Sequence, residues 1–147
     1  MTDEPSDAQE SRQESRHARG LRMLKAIHPQ VGERVVDGVA AVSPDLARCL
    51  VEFPFGDVYA RPGLDLRSRQ IATIAALVTL GGAERQLKWH VRGGLNVGLN
   101  RDEILEVIQQ MTIYAGFPRA LNALTAAQEV FEEIEAEAAE EARQDDS

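Results

Sequence analysis

Cysteine is nearly absent from this chain of 147 residues, in which Cys49 stands alone. A single cysteine excludes an internal disulfide and any Cys-X-X-Cys redox pair, and such a residue is ordinarily a small buried apolar side chain. Aromatic residues are also few, and Trp89 is the only tryptophan. It therefore lacks the stacking set with which proteins hold nucleic-acid bases, so no nucleic-acid partner is expected. No apolar run is long enough to cross a bilayer and no secretory leader pattern is present. The expectation is a soluble, cytoplasmic protein with no membrane partner. Apolar–polar alternation is missing too, and nothing supports a strand.

Positive charge is scarce overall, but its distribution matters more than its sum. The net charge is −8, yet residues 1–15 carry −4 and residues 132–147 carry −7, which leaves 16–131 at +3. The acidity belongs to the ends. The expected organisation is a disordered acidic tail over 1–15, one folded domain over 16–136 and an acidic tail over 137–147.

What is present reads as helices. A first helix starts at Arg16 and stops at His28-Pro29, where a residue before proline marks a boundary. A second covers roughly 30–42, with Val31, Val35 and Val39 on one face. Ser43-Pro44 starts a third through Phe53, with serine as N-cap and proline at the first helical position. Arg61-Pro62-Gly63 is a turn. Asp65 caps a long helix with a stripe of Ile71, Ile74, Ala75 and Val78, closed by Gly81-Gly82. The next helix, within 83–99, carries His90 between Lys88 and Arg92, followed by Gly93-Gly94. Asn100 and Glu103 form a capping box for a helix with Ile104, Leu105, Ile108 and Met111 inward. Gly116 and Pro118 separate it from a last helix carrying Leu121, Leu124, Phe131 and Ile134. The fold class is all-α, a bundle of about six to seven helices.

His90 draws attention because a glycine pair inside a helix costs about 1 kcal/mol per residue relative to alanine. A chain accepts that where a ligand or another backbone must come close. Gln86, Leu87, Gly93 and Gly94 share the neighbourhood of His90 on the helix. Two readings stand side by side: an imidazole beside bare backbone and positive charge, or a hydrogen-bonded core histidine with glycines that serve helix packing.

The segment from Phe55 to Asn122 contains RPGLD, the R-S-R entry to the long helix, L-x-x-H-V-R-G-x-L-N-x-G, D-E-I and Y-A-G-F-P. In that order and spacing it resembles the carboxymuconolactone decarboxylase family, in its decarboxylase branch. The resemblance implies an alkylhydroperoxidase-like helical bundle assembled as a homo-oligomer, commonly a hexamer built as a trimer of dimers. The related peroxidase branch uses a Cys-X-X-Cys pair on the helix that bears His90 here, with a relay glutamate near the position of Gln70. Both are missing, so thiol peroxidase chemistry is not expected.

By the same resemblance, His90 is the shared histidine, a proton donor or oxyanion partner. Glu84 matches a family glutamate, Arg69 and Arg92 match arginines suited to substrate carboxylates, and Tyr114 is a hydroxyl available to a pocket. Each also has a plain structural reading, Glu84 as a first-turn acid paired with Lys88. The implied reaction is decarboxylation of 4-carboxymuconolactone, or a close carboxylated lactone, to an enol-lactone in aromatic-compound catabolism, the β-ketoadipate pathway. The substrate is its own electron sink, so no metal or other cofactor is expected. Alternatives are another small carboxylated substrate, or a ring-forming binding protein without catalysis.

Overall fold

The computed structural model describes residues 14–145. They form seven α-helices and one π-helical segment, with no strand among the described residues: α1 Arg16–Ile27, α2 Gly32–Ala40, α3 Pro44–Leu50, the π segment Val51–Tyr59, α4 Leu66–Leu80, α5 Glu84–Asn96, α6 Arg101–Tyr114 and α7 Phe117–Asp145. The acidic N-terminal tail lies outside the described residues up to position 13. Ser15, at its end, caps α1 by accepting a hydrogen bond from the Ala18 amide.

The starts of the helices are set locally. The side chains of Ser43 and Asp65 accept from the amides of Leu46 and Ser68. Asn100 and Glu103 make both bonds of the capping box. Gly81 ends α4 at φ 67°, a conformation that glycine adopts without a Cβ penalty.

The helix expected from Ser43 through Phe53 is interrupted at Val51, where the chain widens into the π segment. Pro54 lies inside it, and proline has no amide to give to the carbonyl four residues back. Tertiary contact finishes the argument. A Cβ on Gly56 would lie 2.5 Å from the Arg16 carbonyl oxygen, and one on Gly20 would lie 2.2 Å from that of Val51. Only glycines let α1 and the π segment touch backbone to backbone.

One core is built by α4, α5, α6 and α7 around Ile74, Val78, Val91, Ile104 and Ala127; a smaller one joins Leu24, Ile27 and Phe55 to Trp89. Three expectations need correction. The buried face of α7 is Ala120, Ala123, Ala126, Ala127, Val130 and Phe131, while Leu121 and Leu124 face outward. Small residues are what a close approach of α5 and α6 requires. Leu105 is on the surface as well. Cys49 is exposed, because α3 turns its other side, at Ala47, to the interior. The acidic C-terminal segment remains helical to Asp145.

Candidate active site

His90 lies in the second turn of α5, half-buried, and lines a cavity of about 780 Å³ between α5 and the α2–α3 hairpin. Its walls are Val35, Val36 and Val39 from α2, Leu46 and Leu50 from α3, and Phe55 from the π segment. The polar side comes from α5, where Arg85, Gln86 and His90 stand around Trp89. Residues three to five apart on a helix share a broad face, so one side of α5 supplies all four.

The imidazole is oriented from behind. Its Nδ1 is 2.9 Å from Gln70 Oε1 on α4, and Gln70 is fully buried. Chemistry at His90 therefore falls to Nε2. Burial pushes the pKa of His90 down to about 4, so the ring is neutral at pH 7. A neutral amide adds no charge to oppose that shift, whereas a carboxylate at position 70 would.

Gln70 also brings a capability that a carboxylate lacks. With Oε1 accepting, the histidine proton sits on Nδ1 and Nε2 is an acceptor. Turning the amide half a turn places its NH2 on Nδ1 and moves the proton to Nε2. The buried Nε2 of Gln70 has no partner among the described residues in the present orientation, so either orientation satisfies one end of the amide.

A second histidine stands next to the first. His28 is 1% exposed and stacks on Trp89 with ring centroids 3.6 Å apart. Neither of its ring nitrogens has a hydrogen-bond partner among the described residues. Burial, with the nearby His90 and Arg92, pushes its pKa down to about 4. His28 was read from the sequence as a helix boundary only. Its neighbour in space is Gly93, whose missing Cβ would lie 2.8 Å from His28 Nε2 and 2.7 Å from Ile27 Cγ2. A Cβ on Gly94 would lie 2.9 Å from Leu99 Cδ1. The glycine pair thus serves helix packing, and neither glycine lines the cavity.

The other residues singled out in the sequence do not gather at His90. Arg92 points to α7, where its guanidinium donates to Glu137 at 2.8 Å and Glu133 at 3.3 Å. Lys88 pairs with Glu129, also on α7, and not with Glu84. Both cations that flank His90 in sequence are neutralised by the acidic last helix. Glu84 sits at the start of α5 beside Arg119 and Leu77, around a small recess distinct from the cavity. Tyr114 is 73% exposed at the end of α6. Arg69 donates to the Arg61 carbonyl at 2.9 Å, while its buried Nε is unpaired. Near it the Tyr59 hydroxyl lies 2.6 Å from Thr73 Oγ1, and burial raises the phenol's pKa. The cation on the cavity is Arg85, which the sequence did not set apart from its neighbours.

The family model described as "Carboxymuconolactone decarboxylase family" matches residues 44–129, which include the π segment, Gln70 and the whole of α5. The chain is similar to 4-carboxymuconolactone decarboxylase of Acinetobacter baylyi, at 33% identity over 125 residues, covering 82% of this chain and 90% of that protein. It is 34% identical over 119 residues to an uncharacterised 15.0 kDa protein of Paracoccus denitrificans, covering 80% and 89%. Similarity to a nitrosuccinic acid decarboxylase of Metarhizium robertsii is 29% over 85 residues, covering 58% of this chain and 59% of that one.

Proposed function

This chain belongs to the carboxymuconolactone decarboxylase family, and from that premise we propose that it is a carboxy-lyase acting at the His90 cavity on a small carboxylated lactone, with 4-carboxymuconolactone as the first candidate. The observation that carries the reading is His90 itself, held through Nδ1 by a buried neutral amide at the polar edge of an otherwise apolar cavity.

The reaction asks little of the protein. The departing carboxylate sits on the γ-carbon of an unsaturated lactone. When its bond to that carbon breaks, carbon dioxide leaves and the electron pair moves through the double bond into the lactone carbonyl, giving a dienolate. One proton added at the α-carbon completes the enol-lactone. Three services are required: an anchor for the retained carboxylate, a hydrogen bond to the oxygen that gains charge, and the proton.

Arg85 is the charged side chain on the cavity and is suited to the anchor. The aliphatic walls of α2 and α3 favour the reaction in another way. A localised carboxylate is poorly solvated among Val36, Val39 and Leu50, while the delocalised dienolate and neutral carbon dioxide suffer less from the same surroundings. His90 supplies the rest through Nε2. As the neutral Nε2–H tautomer it donates a hydrogen bond to the growing enolate oxygen. An anion bound beside it also favours the imidazolium, which can give its proton to carbon. Glu84, Arg92 and Tyr114 have no position in this scheme within one chain.

Incubation of the purified protein with 4-carboxymuconolactone, with carbon dioxide release followed, tests the reading. Turnover well above the uncatalysed rate is expected. No release from this lactone, alongside release from nitrosuccinate, would move the assignment to the chemistry named for the Metarhizium relative.

A further inference from the structure

Decarboxylation of the lactone needs a hydrogen bond at one atom and a proton at another, and Nε2 of His90 holds a single proton. Charge gathers on the carbonyl oxygen as carbon dioxide leaves, while the proton goes to the α-carbon. Once that proton moves toward carbon it no longer serves the oxygen. In the orientation present, Gln70 Oε1 lies 2.9 Å from Nδ1, so the neutral ring carries its proton on Nδ1 and leaves Nε2 bare. The oxygen then has a donor only if another side chain supplies one.

Among the side chains that line the cavity, those with a polar atom are Ser43, Arg85, Gln86, Trp89 and His90. Ser43 is occupied as the N-cap of α3, where its hydroxyl oxygen accepts from the Leu46 amide. Trp89 lays its ring against His28. Arg85 is suited to the retained carboxylate. Gln86 remains, and its amide has no hydrogen-bond partner among the described residues. It lies four residues before His90 on α5. Such a pair shares a helix face with Cβ atoms about 5–6 Å apart, and the later side chain leans back over the turn of the earlier one. Substrate atoms at Nε2 are thus within reach of the Gln86 amide. A neutral donor also suits this oxygen. The carbonyl bears little charge in the bound lactone and much more in the transition state, so the amide's hydrogen bond strengthens as the reaction proceeds. A cation in its place would attract the departing carboxylate and stabilise the ground state instead.

We propose that Gln86 is a catalytic residue, whose NH2 donates to the lactone carbonyl oxygen while His90 Nε2 delivers the proton to the α-carbon. The inference rests on reading the His90 cavity as a decarboxylase site, and it names the second donor of that site. Gln86 exchanges no proton. The electron pair of the broken carbon–carbon bond rests on the oxygen that Gln86 holds until the imidazolium proton reaches carbon.

The test uses the full chain with Gln86→Met, which keeps the length of the side chain and removes its donors, and with Gln86→Glu. Gln86 is exposed, so both variants should fold, and the unfolding midpoint of each is read beside its activity. On 4-carboxymuconolactone, Gln86→Met should lower kcat by about 10²–10³-fold with KM little changed, the loss that follows removal of one oxyanion donor. Binding is titrated calorimetrically with tetronate, a lactone ring whose ionised enol carries the charge of the dienolate, and with the uncharged parent butenolide. Gln86→Met should weaken tetronate by about 10–100-fold and leave the butenolide unchanged. Gln86→Glu should bind tetronate more weakly still at pH 7 and recover part of that loss, relative to the native chain, at pH 5. There the carboxyl group beside a bound anion takes up a proton and donates again. A merely structural glutamine gives no such recovery. The proposal is overturned if the native chain binds no tetronate, if Gln86→Met keeps its tetronate affinity or loses both ligands alike, or if it turns over the lactone at the native rate. Tetronate binding that depends on Gln86 in a native chain that leaves the lactone intact supports the donor and sinks the lactone assignment. Native-rate turnover by Gln86→Met does the opposite.

Discussion

At the scale of the residue, one buried and one half-buried histidine, both neutral, give the protein a definite response to acid. The unfolded chain takes up a proton on each near pH 6.5, whereas the folded chain does so only near 4. Between those values the unfolded state binds more protons, so stability falls as the pH drops from about 6.5 toward 4. Carboxylates titrate in the lower part of this window, and a variant isolates the histidine. His28→Phe keeps a ring against Trp89 and removes the titrating group, so its urea midpoint should fall less between pH 7 and pH 4.5 than that of the native chain. The difference grows to about 3 kcal/mol at the acid end. Gln70→Glu tests the other histidine. A carboxylate against Nδ1 should raise the pKa of His90 by about one to three pH units. An ionisation that is invisible near neutrality in the native chain should then enter the profile of kcat/KM between about pH 5 and 7.

Glycine and arginine positions carry the predictions at the scale of the element. Gly93 and Gly38 both lie inside helices, and alanine should act on them with opposite sign. Nothing lies within 4 Å of a Cβ on Gly38, so Gly38→Ala should stabilise α2 by about 0.5–1 kcal/mol. At Gly93 the new Cβ meets Ile27 and the His28 ring, which is boxed in by Trp89. Overpacking of about 1–3 kcal/mol outweighs the gain in helix propensity there, and Gly93→Ala should lower the unfolding midpoint. Arg92→Ala should leave KM unchanged and cost only about 1 kcal/mol or less, because its two glutamates are exposed. A large rise in KM would return Arg92 to the substrate.

Helix boundaries were legible in the sequence because their signals are local: Ser43-Pro44, Asp65 and the Asn100–Glu103 box each act within one turn. The π segment was not, since Gly56 takes its meaning from α1, some forty residues away. His28 was hidden for the same reason, as its burial is decided by Gly93 and Trp89. His90 stood out because a glycine pair and two cations surround it in sequence, although the structure turns those features to other uses. Arg85 could have been found by counting along α5: it lies four residues before Trp89, as Gln86 does before His90.

At the scale of the molecule, Phe117, Leu121 and Leu124 repeat at four and three residues along α7 and form an exposed apolar stripe. Leu80, Ile113 and Tyr114 are exposed at the ends of α4 and α6, which pack with α7. A surface of this kind is suited to a subunit contact. We propose that it joins copies of this chain, in keeping with the hexamer implied by the resemblance. Sedimentation should give a mass several times the 16.2 kDa of one chain at micromolar concentration, and Leu121→Asp should reduce it; a stable monomer contradicts this. The role proposed for His90 Nε2 at the reacting lactone is read from the rate of His90→Gln on 4-carboxymuconolactone. Glutamine keeps polar bulk beside Gln70, so the fold should survive, as unfolding of the same sample will report. A loss of about 10²–10⁴-fold in kcat is expected, with the unfolding midpoint little changed. A variant that unfolds more easily yet turns over the lactone at the native rate contradicts it, and makes His90 a structural residue.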